Sequence, residues 1–211
     1  GRRKSSRLPL IVLGVVAIAA IGLGAGALMS GGDDTDKDHS GTVASTASPG
    51  EGASAQPGED PAKPQAEALD KLLADSNNSR SAVIGAVNNI KSCDKLDSAA
   101  DDLHGAAKQR RDLVSRLKEL KTDKLPDSAE LASSLTTAWQ ASASADDHYA
   151  QWATQAKSGK VCKGGHPRRT QAAAEGDKSS GDATAAKNKA SKLWNAIATK
   201  YGLTKRATTQ L

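Results

Sequence analysis

The sequence predicts an all-α protein: an N-terminal transmembrane helix, a disordered linker and an antiparallel up-down-up-down four-helix bundle with one disulfide. Three observations predict it. Residues 8–29 carry no charged side chain. From Gln65 onward, apolar and small residues recur at steps of three and four, with no comparable strand-like alternation. The two cysteines, Cys93 and Cys162, fall where such a bundle brings two loops to one end.

The uncharged run, Leu8 to Met29, is 22 residues long. As a helix it spans about 33 Å, enough for a hydrocarbon core of about 30 Å. Arg2, Arg3, Lys4 and Arg7 precede it, and Asp33, Asp34, Asp36 and Asp38 follow. Basic residues stay on the cytoplasmic side of a first span, so residues 1–7 are expected inside and everything after Met29 outside. A cleaved signal peptide is the competing reading, with Ala25-Gly26-Ala27 as the small-residue site. The run is longer than the usual apolar region of roughly 7–15 residues. No cysteine follows closely enough for a lipoprotein anchor. Gly22-Leu23-Gly24-Ala25-Gly26 lacks the strand, Lys and hydroxyl of a phosphate-binding loop. Gly22 and Gly26 do form a small-xxx-small pair, the candidate face for a homodimer; a plain Gly-rich anchor is the alternative.

Residues 30–64 are rich in Gly, Ser, Thr, Ala, Pro and acid, with Val43 the one branched aliphatic. Such a segment cannot bury enough apolar surface to offset its ordering entropy. As a flexible coil it spans on the order of 30 Å. Lys37 and Lys63 against seven acids make it a net −5 tether, suited to standing off an anionic lipid surface.

Residues 65–211 form the expected extracytoplasmic domain, with helices near 66–92, 95–121, 127–157 and 171–201. Their seams are Leu69, Leu73, Ser76, Arg80, Val83, Val87 and Ile90; Leu96, Ala99, Leu103, Ala106, Arg110, Leu113, Leu117 and Leu120; Leu131, Leu135, Ala138, Ser142, Ala145, Tyr149, Trp152 and Ala156; and Ala172, Gly176, Ser179, Ala183, Ala186, Ala190, Leu193, Ile197 and Tyr201. Matched lengths and short connections favour antiparallel neighbours. Pro126, Asp127 and Glu130 have the spacing of a helix start with a capping box, and Gly202 suits a left-handed helix end. Gly176 and Gly181 each cost about 1 kcal/mol inside a helix, so the fourth helix has an alternative start near Ser180.

The seams are rich in Ala and Ser, which bury little area per residue, and aromatics make up 2% of the chain. Such a core is marginal without a further constraint. Outside the cytoplasm disulfides persist. The first helix ends at Cys93, and the third runs back to the same end before Cys162. A Cys93–Cys162 bond across 69 residues is worth roughly 4 kcal/mol by loop-closure entropy. Neither thiol has the Cys-x-x-Cys setting of redox catalysis.

His104 follows Asp101 and Asp102, and His148 follows Asp146 and Asp147. Catalytic zinc and di-iron bundles need ligand sets absent here, so these are read as solvated helix-face residues, with no metal or cofactor expected. Trp139, Tyr149, Trp152, Trp194 and Tyr201 are read as gap fillers between Ala-rich helices, against the alternative of an exposed patch for a partner or glycan. Lys157, Lys160, Lys163, His166, Arg168 and Arg169 crowd the loop around Cys162, with Lys91 and Lys95 expected nearby. Residues 65–211 carry 23 basic and 17 acidic residues, net +6. Lys157, Lys160, Lys163, Arg168 and Arg169 are the candidate patch for an anionic partner, against a merely solvated loop. Nucleic acid is not an expected partner, since no basic-aromatic interleaving supports it. Asn77-Asn78-Ser79 matches a glycosylation acceptor.

The stretches Trp139-Gln140-Ala141-Ser142-Ala143-Ser144-Ala145-Asp146-Asp147-His148-Tyr149-Ala150-Gln151-Trp152 and Ser180-Gly181-Asp182-Ala183-Thr184-Ala185-Ala186-Lys187, with Leu193-Trp194-Asn195 and Tyr201-Gly202-Leu203-Thr204, carry a resemblance. Over about half its length the chain resembles uncharacterised single-pass envelope proteins of actinobacteria. The resemblance implies a high-GC Gram-positive host and transfers no activity or functional residue. No nucleophile–base or paired-carboxylate arrangement can be assembled, so the chain is not expected to be an enzyme. The expectation is a membrane-tethered binding or sensing module of the envelope, with the bilayer and an anionic wall polymer or envelope protein as partners. The alternative is a structural spacer or assembly subunit dimerising through Gly22 and Gly26.

Overall fold

The computed structural model describes residues 60–211; the expected cytoplasmic segment, the transmembrane helix with Gly22 and Gly26, and most of the linker lie outside the described residues. Among these are five α-helices: α1 (Ala62–Ser76), α2 (Arg80–Lys91), α3 (Leu96–Glu119), α4 (Ser128–Lys157) and α5 (Gln171–Tyr201). A two-stranded hairpin, β1 (Cys162–Lys163) and β2 (His166–Pro167), lies between α4 and α5, and a 3-10 turn spans Thr208–Gln210. No described helix is long and apolar enough to cross a membrane.

The helix expected over 66–92 is two helices. The break falls on Asn77, Asn78 and Ser79, whose short polar side chains compete for backbone groups and favour turns over helix interiors. The chain also enters helix earlier than its composition suggests. Ala62 opens α1, and Pro64 sits harmlessly in the first turn, where its missing N–H would be unpaired anyway. Asp60 accepts from the Ala62 N–H at 3.0 Å, and its carboxylate also receives Lys200 Nζ and the Tyr201 hydroxyl. The Ala62 N–H, with help from those two groups, holds the Asp60 carboxyl down to about 2.

Side-chain partners run in reversed order between neighbouring helices, which makes them antiparallel. Lys157 and Arg110 of α4 and α3 meet Asp97 and Asp146. Glu130 and His148 of α4 meet Lys189 (2.6 Å) and Glu175 (3.3 Å) of α5. Gln65 and Asp75 of α1 meet Asp123 (2.8 Å) and Arg116 (2.7 Å) beside α3. Every seam residue predicted from sequence is buried or half-buried.

The expected capping box at α4 does not form. Asp127 takes a left-handed backbone (φ 49°) without a side-chain cap, and Glu130 turns to Lys189 instead. The expected end of α5 does form: Gly202 is left-handed (φ 66°) and Leu203 N–H returns to the Ala198 carbonyl. α5 runs unbroken from Gln171, so the later start near Ser180 is not used. Gly176 explains the sequence's apparent weak point. A Cβ there would lie 2.7 Å from Tyr149 Cε1, so only glycine lets the ring pack against the α5 backbone.

The bundle holds two separate apolar clusters. One joins Leu69, Leu73, Leu113, Leu117, Leu131, Leu135, Trp139, Trp194, Ile197 and Leu211. The other joins Ala86, Ile90, Ala99, Leu103, Ala150, Trp152, Ala153, Ala172 and Ala173 near the disulfide. Trp139 and Trp194 are fully buried and Trp152 nearly so, which bears out their reading as core fillers. Trp139 lies beside its predicted seam because α4 packs on both α3 and α5, so its buried stripe is broad.

After Gly202 the chain folds back along α1 and α5, an element the periodicity gave no sign of. Asn195 grips the Arg206 backbone on both sides, accepting from its N–H (2.8 Å) and donating to its carbonyl (3.1 Å). Ser191 donates to the same carbonyl, Trp194 Nε1 donates to Thr204 O, and Arg206 Nη2 reaches Asp70 Oδ1 at 2.6 Å. The tail thus ties α1 to α5.

Candidate functional site

Cys93 and Cys162 are bonded, with Cα atoms 5.9 Å apart. Cys93 stands in a tight turn after α2, where it and Lys95 have positive φ and the Ser92, Cys93 and Asp94 N–H groups return to the carbonyls of Asn88, Asn89 and Ile90. Cys162 opens the hairpin. Gly164 and Gly165 form its two-residue turn, both left-handed (φ 60° and 77°), a conformation glycine adopts freely. The Gly-Gly pair between Cys162-Lys163 and His166-Pro167 is the sequence signal for this hairpin, a two-residue turn that a helical periodicity does not register.

The hairpin is fixed on three sides. The disulfide ties it to the end of α2. Trp152 Nε1 donates to the Arg168 carbonyl at 3.2 Å, and the half-buried Val161 packs against the neighbouring apolar cluster. Lys163 and His166 are directly paired across the strands, so their side chains share one rigid platform.

The five candidate basic residues lie near this platform but are not equivalent. Lys157 is paired with Asp97. Arg169 is paired with Asp177 at 2.7 Å, and Asp177 also accepts from the Tyr149 hydroxyl. Burial, reinforced by Asp177, pushes the Tyr149 hydroxyl far above its ordinary range, so it stays a donor. Lys160, Lys163 and Arg168 are exposed and have no ion-pair partner among the described residues, and Lys91 and Lys95 across the disulfide are exposed as well. The free positive charge therefore resides on three of the five.

The His–Asp groups divide. His104 (3.8 Å) and Arg111 share Asp147, and His148 pairs with Glu175 across helices. Arg111, Asp147, His148, Gln140 and Ser144 line an open groove of about 550 Å³ whose charges are largely matched. No group of three metal-ligating side chains converges among the described residues. Asp146 departs from the solvated reading. Its side chain is 3% exposed and accepts from Arg110 Nε at 2.6 Å, with Arg110 itself 8% exposed. Burial raises the Asp146 carboxyl even against the pull of Arg110.

The chain matches no known protein family, no curated protein and no solved structure.

Proposed function

We propose that the chain is a membrane-tethered, extracytoplasmic and non-catalytic binding or sensing module of the cell envelope. In this reading residues 8–29 anchor it, residues 30–61 space it, and the helical body holds a basic hairpin out to an anionic wall polymer or acidic envelope protein. One observation carries it. Lys160, Lys163 and Arg168, without an ion-pair partner among the described residues, stand on and beside a disulfide-clamped hairpin at the end of the bundle opposite Asp60. The 30-residue α4 separates those ends by about 45 Å. A rigid display costs less ordering entropy on binding than a mobile loop.

The test replaces Lys160, Lys163 and Arg168 by Glu and measures binding to isolated cell wall at several salt concentrations. Loss of salt-sensitive binding with unchanged helical circular dichroism supports the reading; wall binding equal to that of the unsubstituted chain removes it. Arg169 is left alone, because a Glu there would face Asp177. The small-xxx-small pair Gly22 and Gly26 favours a second reading, a spacer that dimerises through its membrane helix. A monomer in mild detergent would rule that out.

A further inference from the structure

We infer that the anionic partner is a flexible linear polyanion, carrying phosphate or carboxylate at each repeat, and that its binding surface crosses the disulfide to take in Lys91 and Lys95 together with the hairpin. The inference rests on the display function proposed above and narrows it. Cys93 and Cys162 have Cα atoms 5.9 Å apart. Lys91 and Lys95 lie two residues to either side of Cys93, Lys160 two before Cys162 and Lys163 one after it. At about 3.8 Å between consecutive Cα atoms, each lies within about 8 Å of its own cysteine, so all four fall within about 21 Å of one another. The Arg168 N–H donates to the Val161 carbonyl at 2.8 Å, which sets Arg168 beside Cys162. The disulfide thus joins the α2–α3 turn and the hairpin into one basic surface. With a screening length of about 8 Å at physiological salt, the fields of neighbouring members overlap.

Lys91, Lys95, Lys160, Lys163 and Arg168 are all exposed, and none has an ion-pair partner among the described residues. The acids nearest them are mostly engaged: Asp97 with Lys157 and Asp177 with Arg169. Asp94 stands exposed between Lys91 and Lys95, while Asp101 and Asp102 lie about 8 and 9 Å along the α3 axis from Leu96. A surface of this breadth exceeds any single oxyanion. It also lacks what a folded protein partner needs. Protein interfaces draw most of their energy from large side chains seated in desolvated pockets, Trp, Tyr and Arg above all. Here Trp152 is 7% exposed with its Nε1 held by the Arg168 carbonyl, and Val161 and Pro167 are half-buried. Ile84, the exposed large apolar residue among those described, is about two turns back along α2 from Lys91. The open groove at Arg111 and Asp147 lies farther down the bundle. Four lysines and one arginine suit instead a charged chain that releases its counterions on binding, a mode set by the number of charges and not by shape.

The test uses the full chain in mild detergent, with fluorescence anisotropy against labelled long-chain polyphosphate and, separately, polyglutamate, each over a salt series. Five cations predict a slope of log affinity on log salt of about −3.5 to −4.5. Lys91→Gln with Lys95→Gln should flatten that slope by about 1.5 and weaken binding at least tenfold at low salt; Lys91→Arg with Lys95→Arg should leave both unchanged. Lys160→Gln, Lys163→Gln and Arg168→Gln together should flatten it by about 2–3. Isolated cell wall treated with protease should still bind the chain, and polyphosphate should displace it. A slope unchanged by Lys91→Gln with Lys95→Gln, with helical circular dichroism intact, confines the surface to the hairpin. Wall binding abolished by protease, or kept when neither polymer binds, makes the partner something other than a polyanion. Displacement by orthophosphate at fixed ionic strength makes it a single ion. Each of these three results overturns the inference and leaves the display function standing; failure of the unsubstituted chain to bind wall or either polymer removes both.

Discussion

Two glycines five residues apart on α5 should respond oppositely to the same substitution. At Gly181 an added Cβ meets nothing within 4 Å, so Gly181→Ala collects the helix-propensity gain of about 1 kcal/mol. At Gly176 the same gain is opposed. The new Cβ would stand 2.7 Å from Tyr149 Cε1 and 2.8 Å from Cδ1, closer than real Cβ contacts. The ring cannot simply swing away. Its hydroxyl donates to Asp177 at 2.7 Å, and it packs against Trp152 with ring centroids 6.4 Å apart. Overpacking of this kind costs about 1–3 kcal/mol, and loosening a hydrogen bond to a carboxylate about 1.5–3 more when lost entirely. Gly176→Ala should therefore destabilise by about 1–2 kcal/mol net of propensity. The two variants should lie about 2–3 kcal/mol apart, or roughly 4–12 °C in Tm for a domain of this size. Urea unfolding followed by circular dichroism measures both, and Tyr149→Leu added to Gly176→Ala should recover part of the loss. If Gly176→Ala stabilises as much as Gly181→Ala, the close approach of the ring to the α5 backbone is refuted.

Replacing Cys93 and Cys162 together by Ser should lower stability by roughly 4 kcal/mol, from loop-closure entropy over a separation of 69 residues; denaturant titration showing less than about 1 kcal/mol would deny the bond its role. Burial, with Arg110 beside it, lowers the Lys187 amine to about 8 in the fold. The unfolded chain then holds more protons between about pH 8 and 10.5, so stability should rise across that window. Lys187→Met should flatten the rise and stabilise the protein near pH 7, as thermal melts over a pH series would show. Asn195→Ala removes both side-chain bonds to the Arg206 backbone and should cost about 1–2 kcal/mol. Hydrogen exchange should then quicken in α1 more than in α3 or α4.

Much of the fold was legible because helix burial writes a period of 3.6 into the chain. That period located the helices, and chain direction alone predicted that Cys93 and Cys162 share an end. The helix break at Asn77–Ser79 had a local signal in three weak helix formers, but the apolar steps on either side masked it. At the hairpin end, sequence collected five basic residues and could not sort them. Lys157 is neutralised by Asp97 on α3, which reaches it only through helix packing, and Arg169 by Asp177 on the second turn of the α5 that it precedes, a pairing that depends on where α5 begins. Asp146 was misread for a related reason: beside Asp147 it resembles a solvated pair, and only the facing Arg110 makes its burial tolerable.

The amino-acid sequence by itself determined the helical class, the seam residues and the partner of each cysteine, since these follow from local period and the order of elements along the chain. Tertiary structure alone decided which charges are cancelled, why Gly176 must be glycine, where residues 203–211 fold back, and that a buried Arg110–Asp146 pair lies between the two apolar clusters. Each of these depends on side chains from different helices arriving at one place, and no rule of spacing along a single helix contains that information.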